Sequence, residues 1–148
     1  MPEPSEPHMQ LLNLLQQYIT LYGKGLISVI LYPEVSREKL KIYLDSLRIT
    51  LKRYGKAPVY LWQHEPDLSR YRLILFTNAC FTHDMSEILP VITRLWQNQS
   101  DIPFQIQSWT IVDTSSLDLA AQELSSLGWQ TRSQNAGWHQ RMFGASHV

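Results

Sequence analysis

Two strand-type runs, separated by only three turn residues, constrain this sequence more than any other feature. Pro58-Val59-Tyr60-Leu61-Trp62-Gln63-His64-Glu65 and Ser69-Arg70-Tyr71-Arg72-Leu73-Ile74-Leu75-Phe76 are both rich in β-branched and aromatic side chains. Between them stands Pro66-Asp67-Leu68. Proline presets a turn and cannot donate to a ladder. A connection this short joins antiparallel neighbours, because a parallel crossover needs a dozen residues or more. The spacing predicts a hairpin with Glu65 opposite Arg70 and Gln63 opposite Arg72. Side chains alternate with a period of two, so Gln63, Glu65, Arg70 and Arg72 fall on one face.

The remaining elements are read from apolar spacing. Residues 1–7 are acidic and proline-rich and are expected to be a disordered leader before a single domain spanning 8–148. A helix is predicted from His8 to Leu21, with Met9, Leu12, Leu15, Tyr18 and Ile19 at helical intervals. Leu26–Tyr32 is short, apolar and bounded by Gly25 and Pro33, as a central strand would be. Leu40, Tyr43, Leu44, Leu47, Leu51 and Tyr54 recur at three and four, predicting an amphipathic helix over 37–54 with Ser36 as its N-cap. After the hairpin, a helix is expected from Asp84 or Ser86 to Gln97, with Pro90 in its first turn. A strand follows from Phe104 to Val112, alternating without interruption, then a helix from Ser115 or Ser116 to Leu127. The last twenty residues carry no clear pattern. The expected fold is α+β, an antiparallel sheet with helices packed on one face, of ferredoxin-like or Rep-like type.

With 148 residues, one domain can bury about two-thirds of its unfolded surface. It needs no disulfide, and the lone Cys80 reads as a buried structural thiol. No run approaches the roughly 18 apolar residues of a membrane span, and no basic segment precedes an apolar core, so no membrane partner is expected. Net charge is zero but unevenly placed. Residues 36–72 hold nine bases against four acids, whereas 73–128 hold one base, Arg94, against six acids. Either these are ordinary solvated faces or the basic stretch meets a polyanion. Arg37, Lys41, Arg48 and Lys52 form its helical polar face.

No phosphate loop, zinc-binding cysteine cluster, HExxH motif or nucleophile elbow is present, and no cofactor is expected. The five histidines are scattered and read as surface or internally satisfied groups. The hairpin face has two readings. It is a cross-strand salt bridge worth about 0–1 kcal/mol if exposed, or an anion-binding surface on which two guanidiniums fork onto phosphate or carboxylate. Tyr60 and Trp62 would add stacking surfaces, unless they are core.

Trp62-Gln63-His64-Glu65 followed by Arg70-Tyr71-Arg72-Leu73-Ile74-Leu75 resembles the YagK/YfjJ C-terminal domain family. That family is a prophage- and inovirus-associated branch of the HUH Rep endonucleases. Its members carry Trp-x-x-Glu and then a strand with His-Tyr-His. Ser28–Pro33, Leu44–Arg53, Leu95-Trp96 and the closing Phe143-Gly144-Ala145-Ser146 fit the same pattern, so the resemblance spans about residues 26–148. It implies a Rep-like sheet, a divalent metal held by two histidines and a third ligand, and a tyrosine nucleophile. This chain departs from the family at both centres. Arg70 and Arg72 stand where the histidines would, and a guanidinium does not release its proton to bind metal. Glu65 remains as a vestigial metal-site position. Glu123-Leu124-Ser125-Ser126 stands where the family has its tyrosine motif.

The expectation is therefore a non-enzymatic, Rep-like protein of a phage, prophage or phage satellite, working in the host bacterial cytoplasm. It would bind single-stranded or origin DNA through Gln63, Arg70, Arg72, Arg37, Lys41, Arg48 and Lys52. The alternative is an inhibitor that binds a host or phage protein complex, such as a defence complex or a rival replicase. An active metal-dependent nickase ranks last.

Overall fold

The structure is a computed structural model and describes residues 6–79, 83–126 and 143–145. Cys80, Trp129 and residues 1–5 lie outside them. The order is α1 (Glu6–Tyr22), β1 (Lys24–Pro33), α2 (Arg37–Arg53), β2 (Val59–Glu65), β3 (Arg70–Asn78), α3 (Leu89–Gln97), β4 (Gln105–Asp113), α4 (Leu117–Ser125) and β5 (Phe143–Ala145). It is an α+β arrangement. The five strands lie in the order β4-β1-β3-β2-β5, all neighbours antiparallel. No helix among the described residues is long and apolar enough to cross a membrane.

Local chemistry sets the element ends. Gly23, at φ 75°, closes α1 and donates from its amide to the Ile19 carbonyl at 2.7 Å. The Ser36 side chain accepts from the Lys39 amide at 3.2 Å and caps α2. At the other end, Gly55 donates to Lys52 and Lys56 donates to Leu51, both at 3.0 Å, the paired bonds of a Schellman stop. α3 starts at Leu89 rather than at Asp84 or Ser86, because Asp84 instead accepts from the Ser86 amide at 2.8 Å in a local turn. α1 starts at Glu6, so the last two residues of the expected leader are helical, with Pro7 in the first turn.

The sheet is covered on both faces, not one. On one side Leu26, Ile30, Tyr32, Tyr60, Trp62, Leu73 and Leu75 pack against Leu40, Tyr43, Leu44, Leu47 and Leu51 of α2 and Ile92 and Trp96 of α3. On the other, Ile27, Val29, Val59, Leu61, Ile74 and Phe76 pack against Leu11, Leu15, Tyr18 and Ile19 of α1 and Ala120 and Leu124 of α4. A strand buried on both faces needs a nearly continuous apolar run, which Leu26–Leu31, interrupted by the small buried Ser28, and Leu73–Phe76 supply. Burying each large side chain stabilises by about 1.5–3 kcal/mol. Tyr60 and Trp62 belong to this core, 8% and 1% exposed, so neither presents a ring for a base to stack on.

β4 does not alternate cleanly. Val29 faces Ser108 but Ile30 faces Ile106, so Gln107 is an extra residue in a bulge. The bulge resets the period and lets Ile106 and Ile111 pack on the same core, which uninterrupted alternation forbids. β5 was not foreseen as a strand. It pairs Phe143 with Gln63, Gly144 with Trp62 and Ala145 with Leu61.

Candidate anion-binding face

The second face of the sheet changes character along its length. α1 and α4 pack over Val29, Leu61 and Ile74. One two-residue step further, the same face carries Leu31, Gln63 and Arg72, and one step beyond that Pro33, Glu65 and Arg70. The register is the one the hairpin spacing predicts: Glu65 opposite Arg70 and Gln63 opposite Arg72. A 3-10 turn at Pro66–Leu68 makes the connection, and Ser69 takes a left-handed conformation at φ 50° to close it. The Ser69 amide donates to the Pro66 carbonyl at 3.1 Å, and its carbonyl accepts from the Glu34 amide at 3.0 Å. The turn is therefore tied to the end of β1.

Glu65 lies between the two arginines. Arg70 Nε donates to Glu65 Oε1 at 2.8 Å, and Arg72 Nη2 stands 3.5 Å from Oε2. One carboxylate thus serves two guanidiniums, and the trio keeps one positive charge. The roles differ by exposure. The Arg72 side chain is 8% exposed, that of Arg70 28%. Burial pulls the Arg72 guanidinium below its ordinary proton affinity, with Glu65 opposing and Arg70 reinforcing that shift. Arg70 faces outward and Arg72 underlies the pair. Glu65 is committed to the two arginines. Among the described residues no three His, Cys, Asp or Glu side chains gather as a metal site would require.

The opposite face of the same sheet end holds a network that the scattered histidines did not advertise. His64 stacks on Tyr71 with ring centroids 4.8 Å apart. Its Nδ1 lies 2.9 Å from Arg37 Nη2, and its Nε2 lies 2.9 Å from Glu34 Oε2. Guanidinium only donates, so Nδ1 accepts and Nε2–H donates to Glu34. Arg37 also lies over the rings of Trp62 and Tyr71, at 5.3 and 5.6 Å. Tyr71 donates its hydroxyl to the Val35 carbonyl at 3.1 Å, and burial raises its pKa.

The expected basic helix face is therefore divided. Arg37 is half-buried in the His64 network. Lys41 stands 3.8 Å from Asp45 on the exposed side of α2. Arg48 and Lys52 line a cleft at the start of β2 and the end of β3. α2 packs on the face that carries Tyr71 and Leu73, so none of these four bases shares the face of Arg70 and Arg72. Glu123 is exposed on α4. Trp109 is the one strand tryptophan with a large exposed area among the described residues, at 45%. No family model, curated protein or solved structure matches the chain, so the site is read from its own geometry.

Proposed function

We propose that this chain is a catalytically inactive, Rep-like domain of a phage, prophage or phage satellite that acts by binding single-stranded or origin DNA. The observation that carries this reading is the Glu65–Arg70–Arg72 trio. It occupies the strand positions of the family's metal histidines and replaces a metal centre with a net positive, arginine-built surface. The β-α-β-β-α-β core from β1 to β4, with strands in the order 4-1-3-2, is a ferredoxin-like arrangement and suits a Rep-like ancestry. Arg70 is the contacting residue. Arg72 and Glu65 support it from beneath, and Gln63, opposite Arg72 and 7% exposed, is buried and offers a ligand little surface.

The test is fluorescence anisotropy with a labelled single-stranded oligonucleotide, at low and near-physiological salt. Binding should weaken with salt and drop in Arg70→Ala, while Lys41→Ala, on the other face, leaves it unchanged. No binding by the wild type at low salt would sink the reading. The inhibitor reading draws on a different observation. Ile42 and Ile49, two turns apart on α2, are 53% and 43% exposed and form an apolar stripe of the kind that meets a protein partner. It would be favoured by a stable complex with one host protein that Ile42→Asp abolishes and Arg70→Ala does not.

A further inference from the structure

The loop between α2 and β2 is strained and firmly held. Gly55 lies at φ 72° and Ala57 at φ 46°. Gly55 closes a helix, where such a conformation is ordinary. Ala57 carries a Cβ into the left-handed region, which L-residues disfavour. Three hydrogen bonds keep it there. The buried Tyr18 hydroxyl shares its one proton between the Ala57 carbonyl at 2.8 Å and the Lys56 carbonyl at 3.2 Å. The Asn78 amide donates to Lys56 at 2.6 Å. Strain that the surroundings fix in one geometry is a mark of a preorganised site.

That loop borders a cleft of about 420 Å³. Arg48 and Lys52 of α2, Tyr22 of α1, Asn78 of β3 and Ala57 and Pro58 of the loop line it. Arg48 and Lys52 are four residues apart, so they are neighbours on the helix surface, and like charges so placed repel. Among the described residues neither makes an ion pair and no acid lines the cleft; Asp45, on the same helix, stands beside Lys41. Two repelling cations on the wall of a concavity, beside a loop locked in strain, suit a site awaiting an anion better than a merely solvated helix face. A solvated face needs neither the concavity nor the strain.

We infer that this cleft binds a phosphate monoester of nucleotide size, with Arg48 and Lys52 on the phosphate and the flat body lying toward Tyr22 and Pro58. The volume falls in the range of small-molecule sites and exceeds what a bare phosphate needs. The arginine forks onto phosphate oxygens, and the lysine adds a point charge. The cleft stands apart from the Arg70 face. β3 runs from Arg70 to Asn78, and at about 3.3 Å per residue its ends are roughly 26 Å apart. The site therefore stands or falls independently of the DNA-binding proposal.

Isothermal titration calorimetry of the full chain tests it, with deoxyadenosine monophosphate as ligand and deoxyadenosine as its uncharged counterpart. The monophosphate should bind, and deoxyadenosine should bind at least about tenfold more weakly. Lys52→Gln should weaken monophosphate binding roughly tenfold, and Arg48→Gln/Lys52→Gln roughly a hundredfold. Arg70→Ala/Arg72→Ala should bind as the wild type does. Circular dichroism confirms that each variant is folded; Lys52 is exposed, so its single variant keeps the test open if the double variant is damaged. Absence of binding at millimolar monophosphate, equal binding of deoxyadenosine, or undiminished binding by folded Lys52→Gln would each overturn the inference.

Discussion

Replacing Glu65 with glutamine should make the protein less stable and a tighter binder of single-stranded DNA. Glu65 bridges Arg70 at 2.8 Å and Arg72 at 3.5 Å. The Arg70 pair is partly solvated, with side chains 28% and 19% exposed, so its loss costs about 0.5 kcal/mol. Arg72 is 8% exposed, and without its acid it is left in a poorly hydrated place, at a cost of about 1–3 kcal/mol. Together the loss is about 2 kcal/mol, or roughly 4–8 °C of melting temperature for a chain of this size. Binding moves the other way. Glu65 competes with phosphate for Arg70, and removing a competitor worth about 0.5–1 kcal/mol should tighten binding by roughly twofold to fivefold. Thermal melts and anisotropy titrations on the same preparations read both effects. A variant that binds more weakly would refute the reasoning by showing that Glu65 is not a competitor, and one that melts unchanged would refute it by showing that Glu65 is not a support.

Two further predictions concern pH. The Asp113 carboxylate accepts from the Ser115 hydroxyl at 2.6 Å and from the Ser115 and Ser116 amides at 2.9 and 3.1 Å, bonds that hold its pKa below the ordinary value. A depressed folded pKa stabilises above the unfolded value and is lost as pH falls through the folded one. Asp113→Ala should therefore melt below the wild type at neutral pH, with the gap closing under acid titration followed by circular dichroism. Tyr32 and Tyr43 share a buried hydroxyl contact at 2.5 Å, and burial raises the pKa of both. Here the unfolded state ionises first, so stability is full below about pH 10 and falls above it, by about 1.4 kcal/mol per pH unit for each tyrosine. Tyr43→Phe should lose about 1 kcal/mol near pH 8 yet show a shallower alkaline decline in urea melts.

The hairpin face was legible because a short turn and a two-residue period leave one register that unites Gln63, Glu65, Arg70 and Arg72. Helix α2 was legible because Leu40, Tyr43, Leu44, Leu47 and Leu51 repeat without interruption. The second covered face was written in the sequence too, in the largely apolar runs Leu26–Leu31 and Leu73–Phe76, but that signal speaks of burial on both sides without naming what covers it. Arg37 was misplaced because helical periodicity tells which way a Cβ points, not whether a long side chain folds back over Trp62 and Tyr71. The division of Arg70 from Arg72 depends on what covers each side chain, which spacing does not encode. Three residues, Phe143–Ala145, are too few to show a period, so β5 left no readable pattern.

The bulge at Gln107 has a consequence beyond packing. Among the described residues β4 ends the sheet, and from Gln105 to Val112 it carries no charge and no proline. A long, neutral, outermost strand offers unpaired backbone groups on which other chains can polymerise. Charged or proline gatekeepers commonly prevent this, and β4 has neither across those eight residues. The extra residue bends and twists the strand so that its outer backbone groups fall out of step with any straight strand approaching them. The irregularity that packs Ile106 against the core thus also disfavours edge-to-edge pairing along this border.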